Sequence, residues 1–311
     1  MAASRSTRID RWVEWLVTAA GMTGLVALGL ILVFIVREAL PLLFDGDVTL
    51  GKLVLPQPWR EGRAPTWLWQ PLSRVPKVSV VPLIVGSVKV SAVAMALAAP
   101  MGIAAALFSS EFASPRAREL LKPTIELLAG VPSVVLGFFA LTVIATALQT
   151  LFDWPYRLNA AVAGVAMALA IVPIIFTITE DALRTVPNTY REASQALGAT
   201  RWDTAWRIVL PAASPGVLAG LLLGFGRAIG ETMIVLMASG NASVVSLQLR
   251  DPTRTLSATI AAEMGEVVSA STHTSLLYFL GVLLFVLNVG LNASVGAWAR
   301  NRVLRARGAH A

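Results

Sequence analysis

Residues 185–216 read TVPNTYREASQALGATRWDTAWRIVLPAASPG. Their polarity separates them from the apolar runs on either side. Asn188 or Thr189 is placed to cap a short helix, with Glu192 in its first turn, where a carboxylate interacts favourably with the helix dipole. Ala193, Ala196 and Leu197 give that helix a short apolar face. Gly198 follows, and glycine is the residue that most readily ends a helix in a left-handed turn. Thr200 then caps a second helix over 201–209, which puts Trp202, Ala205 and Trp206 on one side. Pro211 ends it before the next apolar run. Two short amphipathic helices of this kind suit a membrane surface.

Working outward, the chain has 311 residues, of which 56% are hydrophobic and 14% charged, with a mean hydropathy of +0.71. A soluble domain carries roughly a quarter charged residues, so lipid must be the solvent for most of this surface. The predicted fold class is an all-α membrane protein of six transmembrane helices, over 15–43, 81–108, 124–151, 158–179, 212–238 and 275–298. About 20 apolar residues cross the hydrocarbon core, and in lipid a helix satisfies its own backbone. Three arginines precede the first run, which is too long for a signal-peptide core, so it reads as a retained helix.

Basic residues set the orientation. One side collects Arg5, Arg8 and Arg11, then Arg116, Arg118 and Lys122. It also takes Arg184, Arg191, Arg201 and Arg207, and the tail of Arg300, Arg302, Arg305 and Arg307. Both termini are therefore expected in the cytoplasm. The net charge of +7 has its explanation here rather than in nucleic acid. The opposite loop, 44–80, is rich in proline and carries Trp59, Trp67 and Trp69. It reads either as an interfacial loop with tryptophans at headgroup level or as a docking surface for an external protein. The absence of cysteine excludes disulfides and thiolate sites. The two histidines, His273 and His310, stand alone without metal-ligand spacing.

The residues Glu192-Ala193-Ser194, then Gly198-Ala199, then Ile208-Val209-Leu210-Pro211 resemble the signature of the cytoplasmic loop in ABC-importer permeases, with Ser194 in place of the second alanine. The stretches TIELLAGVPSVVLGFFAL (124–141) and GFGRAIGETMIVLMASGN (224–241) resemble the phosphate permeases of that family, most of all the PstC-type subunit. The PstA-type partner is a similar permease.

The resemblance implies a type I importer fold with a MetI-like core over 81–303, following an N-terminal helix and loop over 1–80. It makes 185–211 the coupling loop and 304–311 a basic cytoplasmic tail. It also implies location in the bacterial inner membrane, a paralogous permease completing a heterodimer, two cytosolic ATPase subunits and an external phosphate-binding protein. The chain has no G-x-x-x-x-G-K-[ST] loop. ATP and magnesium therefore belong to the partner ATPases, and the chain is expected to be a non-catalytic subunit with no cofactor of its own. A sulfate or molybdate importer is the neighbouring alternative, and a channel or secondary carrier the alternative from another class.

Arg227 and Glu231 lie inside the fifth apolar run. On a continuous helix they would share one face, about 40° apart, beside a row of small residues, Gly216, Gly220, Gly224, Ala228 and Thr232, that admits a close neighbouring helix. A charge at mid-bilayer costs about 2.5–3.5 kcal/mol, whereas an i,i+4 pair in water returns about 0.2–0.5 kcal/mol. Helix stabilisation does not explain the pair. The two remaining readings are an ion pair locking helices together and a substrate path. Arginine's planar fork suits two phosphate oxygens, and the glutamate would hold that fork when no anion is present. Ser133, after a proline that frees backbone groups inside the helix, and Lys89, two turns into the second span, are further candidates for the path; Ser133 has the alternative of satisfying its own backbone. Lys89 also has the alternative of reaching outward to water. Glu263 and Glu266 fall in a helical external segment, either re-entrant or on the surface, with solvated carboxylates as the plain expectation.

Overall fold

In the computed structural model, the described residues are 3–44, 48–58, 65–73, 76–267 and 271–308. Trp59, Arg60, Arg63 and Arg74 of the long loop lie outside them, as do the last three residues of the basic tail. Helix α1 spans Ala3–Ala39, and α2 is one short turn at Leu50–Val54. Strands β1 (Trp69–Gln70) and β2 (Lys77–Val78) form a small antiparallel hairpin in an otherwise helical chain, with isolated bridges at Gln57–Thr66 and Gly240–Thr253. Helix α3 (Val81–Leu107) runs on through a π-helical turn to Phe112, and α4 (Pro115–Ala129) follows. Next come α5 (Ser133–Phe139), a second π-helical turn, and α6 (Ala145–Phe152). Helix α7 is Ala160–Arg184. The polar stretch holds α8 (Asn188–Ala196), α9 (Arg201–Thr204) and α10 (Leu210–Ala212). The chain finishes with α11 (Ser214–Gly230), α12 (Met233–Ala238), α13 (Leu256–Glu263) and α14 (Thr272–Gly308).

Among the described residues, five helices are long and apolar enough to cross a membrane, and six if the bent pair ending in α11 counts as one span. The spans alternate, so residues 113–132 and 185–213 share one face, the basic one, while 44–80 and 239–271 share the opposite face. Helix α7 is the axis. Nearly its whole length is buried, because α3 and α11 cover it from two sides with small residues. A Cβ on Gly164 would stand 2.5 Å from Val93 Cγ1, so only glycine lets α3 approach this closely. The small-residue row on α11 also meets α7. Gly216 lies against Ala182, Gly220 against Ile178, and Gly224 against Ile171 and Ile175. The apolar side chains of α1, by contrast, are exposed, as they should be where lipid is the solvent.

Three expectations change. The third span does not start at residue 124. The chain breaks at Gly130–Pro132, because proline cannot donate to the helix ladder and turns its predecessor away from helix. The crossing segment is Ser133–Phe152, and α4 is a separate surface helix. The fifth span is not one helix either. It ends at Gly230, and Glu231 is extended (φ −66, ψ 130) before α12 begins. Pro211 does not end the second short helix. The helix continues to Ala212 and bends by 71° into α11 at Ala213.

Candidate functional site

The basic face carries the polar stretch. Helix α8 starts at Asn188 itself, behind Pro187, with no side-chain cap, so Glu192 falls in its second turn rather than its first. Gly198 has φ +84, the left-handed turn expected of it. Thr200 caps α9 by accepting from the Asp203 N–H at 3.1 Å. The apolar residues Ala193, Ala196 and Leu197 are exposed, Leu197 at 91%. Ser194 is the buried residue of the turn, and its hydroxyl meets that of Thr204 at 3.0 Å. This bond joins α8 to α9. Trp202 and Trp206 stack on each other at 6.0 Å, and Trp202 tilts against Phe112. The result is an apolar ledge, with Tyr190, Leu197, Trp202 and Trp206 facing outward and Glu192 free among the described residues. Ala199 is half-buried behind Gly198; Leu210 is half-buried and Pro211 exposed in the turn before the 71° bend.

The ledge is fixed from behind. The Arg191 guanidinium donates to both Glu111 oxygens (2.9 and 2.7 Å), to Val186 O (2.7 Å) and to Leu183 O (3.1 Å). One side chain thus ties α8 to the ends of α3 and α7. The Glu111 carboxylate raises Arg191 further above its already high range. Arg118 donates to Ser109 O and Ser110 O and closes the same corner. Lys122 of α4 bridges Asp181 (2.7 Å) and the fully buried Glu180 (3.0 Å). The bond to Asp181, with Glu180 adding to it, holds Lys122 above the usual lysine range.

Within the membrane, Arg227 and Glu231 part company. The helix break removes the shared face, and no ion pair joins them among the described residues. The buried Glu231 carboxylate instead accepts from the Thr232 N–H (3.2 Å) and the Ile234 N–H (3.5 Å) at the start of α12. Ser257 of α13 donates to its carbonyl at 2.8 Å. Thr232 lies in the break, outside the small-residue row, and donates to Gly230 O. Arg227 is exposed on α11 and lines an open groove of about 530 Å³ between α11 and α14. Ala219, Leu222, Leu223 and Gly226 form one wall, and Asn288 and Asn292 of α14 form the other. Ser133 is half-buried at the first turn of α5, close to the basic face. Lys89 does not reach outward. It is buried and donates to Ser246 O (2.8 Å) and Gln248 O (3.2 Å), which pins the loop after α12.

On the opposite face, Glu263 is a hub rather than a solvated carboxylate. It accepts from Trp69 Nε1 (3.1 Å), pairs with Arg254 (2.8 Å) and meets His273 Nε2 at 2.8 Å. His273 is therefore partnered, and Trp69 is 2% exposed in an apolar cluster rather than at headgroup level. Arg254, Glu263 and Glu266 line a hollow of about 540 Å³. No group of residues suited to a metal ion occurs among the described residues.

Reading the sequence alone missed Glu111 and Glu180 as partners, the Glu263 hub, and Asn288 with Asn292. The i,i+4 spacing of two asparagines inside an apolar run was a visible signal. Arg191 for Glu111, Lys122 for Glu180 and Trp69 for Glu263 are far away in sequence and left none.

Residues 98–302 match the family described as "Binding-protein-dependent transport system inner membrane component". The probable ABC transporter permease protein YqgH of Bacillus subtilis is 38% identical over 71% of this chain and 71% of its own. The phosphate transport system permease protein PstC of Mesorhizobium japonicum is 36% identical over 70% and 72%. That of Xylella fastidiosa (strain Temecula1) is 31% identical over 91% and 88%. Among solved structures, the inward-facing MetNI methionine ABC transporter shares the fold at a TM-score of 0.56 and 16% identity, over 71% of this chain and 95% of that one. A bacterial ABC transporter for alginate import does so at 0.54 and 15%, over 71% and 79%.

Proposed function

We propose that this chain, which belongs to the family of binding-protein-dependent transport system inner membrane components and is the membrane-spanning permease subunit of an ABC importer, passes phosphate across the bacterial inner membrane. The observation that carries the proposal is Arg227. Its guanidinium faces an open groove inside the membrane region and has no carboxylate partner among the described residues. An unpaired cation there is costly unless it serves a passing anion. A planar fork fits two oxygens of a tetrahedral oxyanion, and the PstC relatives favour phosphate among such anions.

On this reading the basic face is cytoplasmic and both termini lie there. The ledge of Tyr190, Leu197, Trp202 and Trp206, with Glu192 and Gly198 in its turn, docks on an ATPase subunit. A second permease completes the path, and an external phosphate-binding protein delivers to the opposite face. The chain is non-catalytic, and ATP and magnesium are held by the ATPases. Ser133 and Thr232 are further candidates for the route outside the groove itself. Lys89 and Glu231 act by fixing the loop and the helix break around it.

The test is uptake of labelled phosphate by the reconstituted complex. Arg227→Lys keeps the charge and loses the fork, and uptake should fall at least about tenfold, the scale of one charge-assisted bond. Arg227→Met should abolish uptake while the complex still assembles. Wild-type uptake in an assembled Arg227→Met complex would remove Arg227 from the path.

A further inference from the structure

The groove beside Arg227 has a second polar wall. Asn288 and Asn292 stand one turn apart on α14, both half-buried. Asn292 Nδ2 donates to Asn288 O (2.9 Å) and to Asn288 Oδ1 (2.7 Å). The pair packs directly on the residue before Arg227: a Cβ on Gly226 would lie 3.3 Å from Asn292 Nδ2 and 3.4 Å from Asn288 Oδ1. These two bonds use the Asn292 amide N–H groups and, of the side-chain acceptors, Asn288 Oδ1. They leave the Asn288 amide N–H groups and Asn292 Oδ1 without partners among the described residues. A site that borders Arg227 therefore presents the guanidinium donors, two amide N–H donors and one amide oxygen acceptor.

We infer that Asn288 and Asn292 are specificity-determining residues of the anion path, and that together with Arg227 they select a protonated tetrahedral oxyanion over a fully deprotonated one. This rests on the reading that Arg227 lies on the path. The donors take the unprotonated oxygens. Asn292 Oδ1 takes the hydrogen of the protonated oxygen, which hydrogenphosphate has and sulfate at neutral pH lacks. With sulfate, the amide oxygen would face an anionic oxygen, so repulsion replaces a bond. Such a site rejects the wrong ligand by leaving its own polar group unpaired. Lipid can satisfy none of these groups, so an aqueous path accounts for their orientation better than a hydrocarbon-facing groove.

The chain contains no cysteine, so single thiols can be introduced without a background from it. Asn288→Cys, Asn292→Cys and Arg227→Cys are each made in the full complex with cysteine-free partner subunits. Each is then treated with a membrane-impermeant, negatively charged methanethiosulfonate, with ATP and without. The inference expects both asparagine positions to react from water and to be protected by inorganic phosphate but not by the same concentration of sulfate. It is overturned if neither reacts in any nucleotide state, as a packing role between α11 and α14 would require, or if phosphate leaves their rates unchanged. If the thiol at 227 is labelled and protected while those at 288 and 292 are not, this inference falls alone. If none of the three is labelled, the placing of Arg227 on the path falls with it. A second arm measures uptake by Asn292→Leu. The preference for phosphate over sulfate should drop about tenfold, the scale of one neutral hydrogen bond. An unchanged preference in an assembled complex overturns the proposal.

Discussion

The corner where Arg191 meets Glu111 gives a prediction whose size follows from its geometry. The side chains are 19% and 9% exposed, so the discount that applies to surface pairs is small here. Two charge-assisted bonds join them, at 2.9 and 2.7 Å, and bonds of this kind contribute about 1.5–3 kcal/mol. Removing one partner strands the other, so Glu111→Ala should cost more than the pair itself contributes, about 3–5 kcal/mol. Arg191→Ala also frees the carbonyls of Leu183 and Val186, and should be the worse of the two. The double change should recover part of the loss, with an interaction energy of about 2 kcal/mol.

That energy corresponds to about a thirtyfold change in how often α8 leaves the ends of α3 and α7. Amide hydrogen exchange of α8 in nanodisc-embedded complex measures it directly. Each single variant, costing about 3 kcal/mol or more, should exchange at least about 150-fold faster there, while the interior of α7 is unaffected. ATP hydrolysis stimulated by the loaded binding protein should fall in parallel. Strictly additive losses in the double mutant, with unchanged exchange in α8, would refute the idea that this pair fixes the ledge.

Other predictions follow from single residues. A Cβ on Gly198 meets nothing within 4 Å, so Gly198→Ala carries only the strain of φ +84, about 1–2 kcal/mol. Gly198→Pro also loses the N–H bonded to Gln195 O at 2.9 Å. Both variants should insert normally and uncouple hydrolysis from uptake, proline more completely; normal coupling in both would exclude the turn from docking. Glu263→Gln removes the charge that Arg254 and His273 face, and thermal unfolding should report a loss of about 1–3 kcal/mol. An unchanged melting temperature would show that the hub adds nothing. A reporter after the C-terminus should read cytoplasmic and one inserted at Ser73 external. Finding both on one side would mean that the count of spans is wrong by one.

The helical membrane architecture was legible because hydropathy and basic residues act locally and additively. Gly198 and Thr200 were legible for the same reason, since a left-handed turn and a cap involve only neighbouring residues. The positions of the breaks were not. Pro132 signalled a break that the surrounding apolar run concealed, and nothing in GFGRAIGETM announced that Glu231 leaves the helix to cap α12. The i,i+4 argument for Arg227 and Glu231 failed for that reason. It assumed a continuous helix, whereas the glutamate meets backbone N–H groups that a helix break exposes. Lys89 and Glu263 were also misread: the partners of Lys89, and Trp69 against Glu263, are more than a hundred residues away, and Arg254 and His273 meet Glu263 only through the turns at either end of α13. The Ser194–Thr204 bond explains why a serine suits the position where the family signature has alanine.

The most direct test of the central claim is accumulation of labelled phosphate in proteoliposomes that hold this chain with its second permease, the ATPases and the loaded binding protein. The account predicts uptake that requires ATP, that excess sulfate does not abolish, and that is lost in Arg227→Met while basal ATP hydrolysis remains. Accumulation without ATP, sulfate carried in preference to phosphate, or undiminished uptake in Arg227→Met would contradict it.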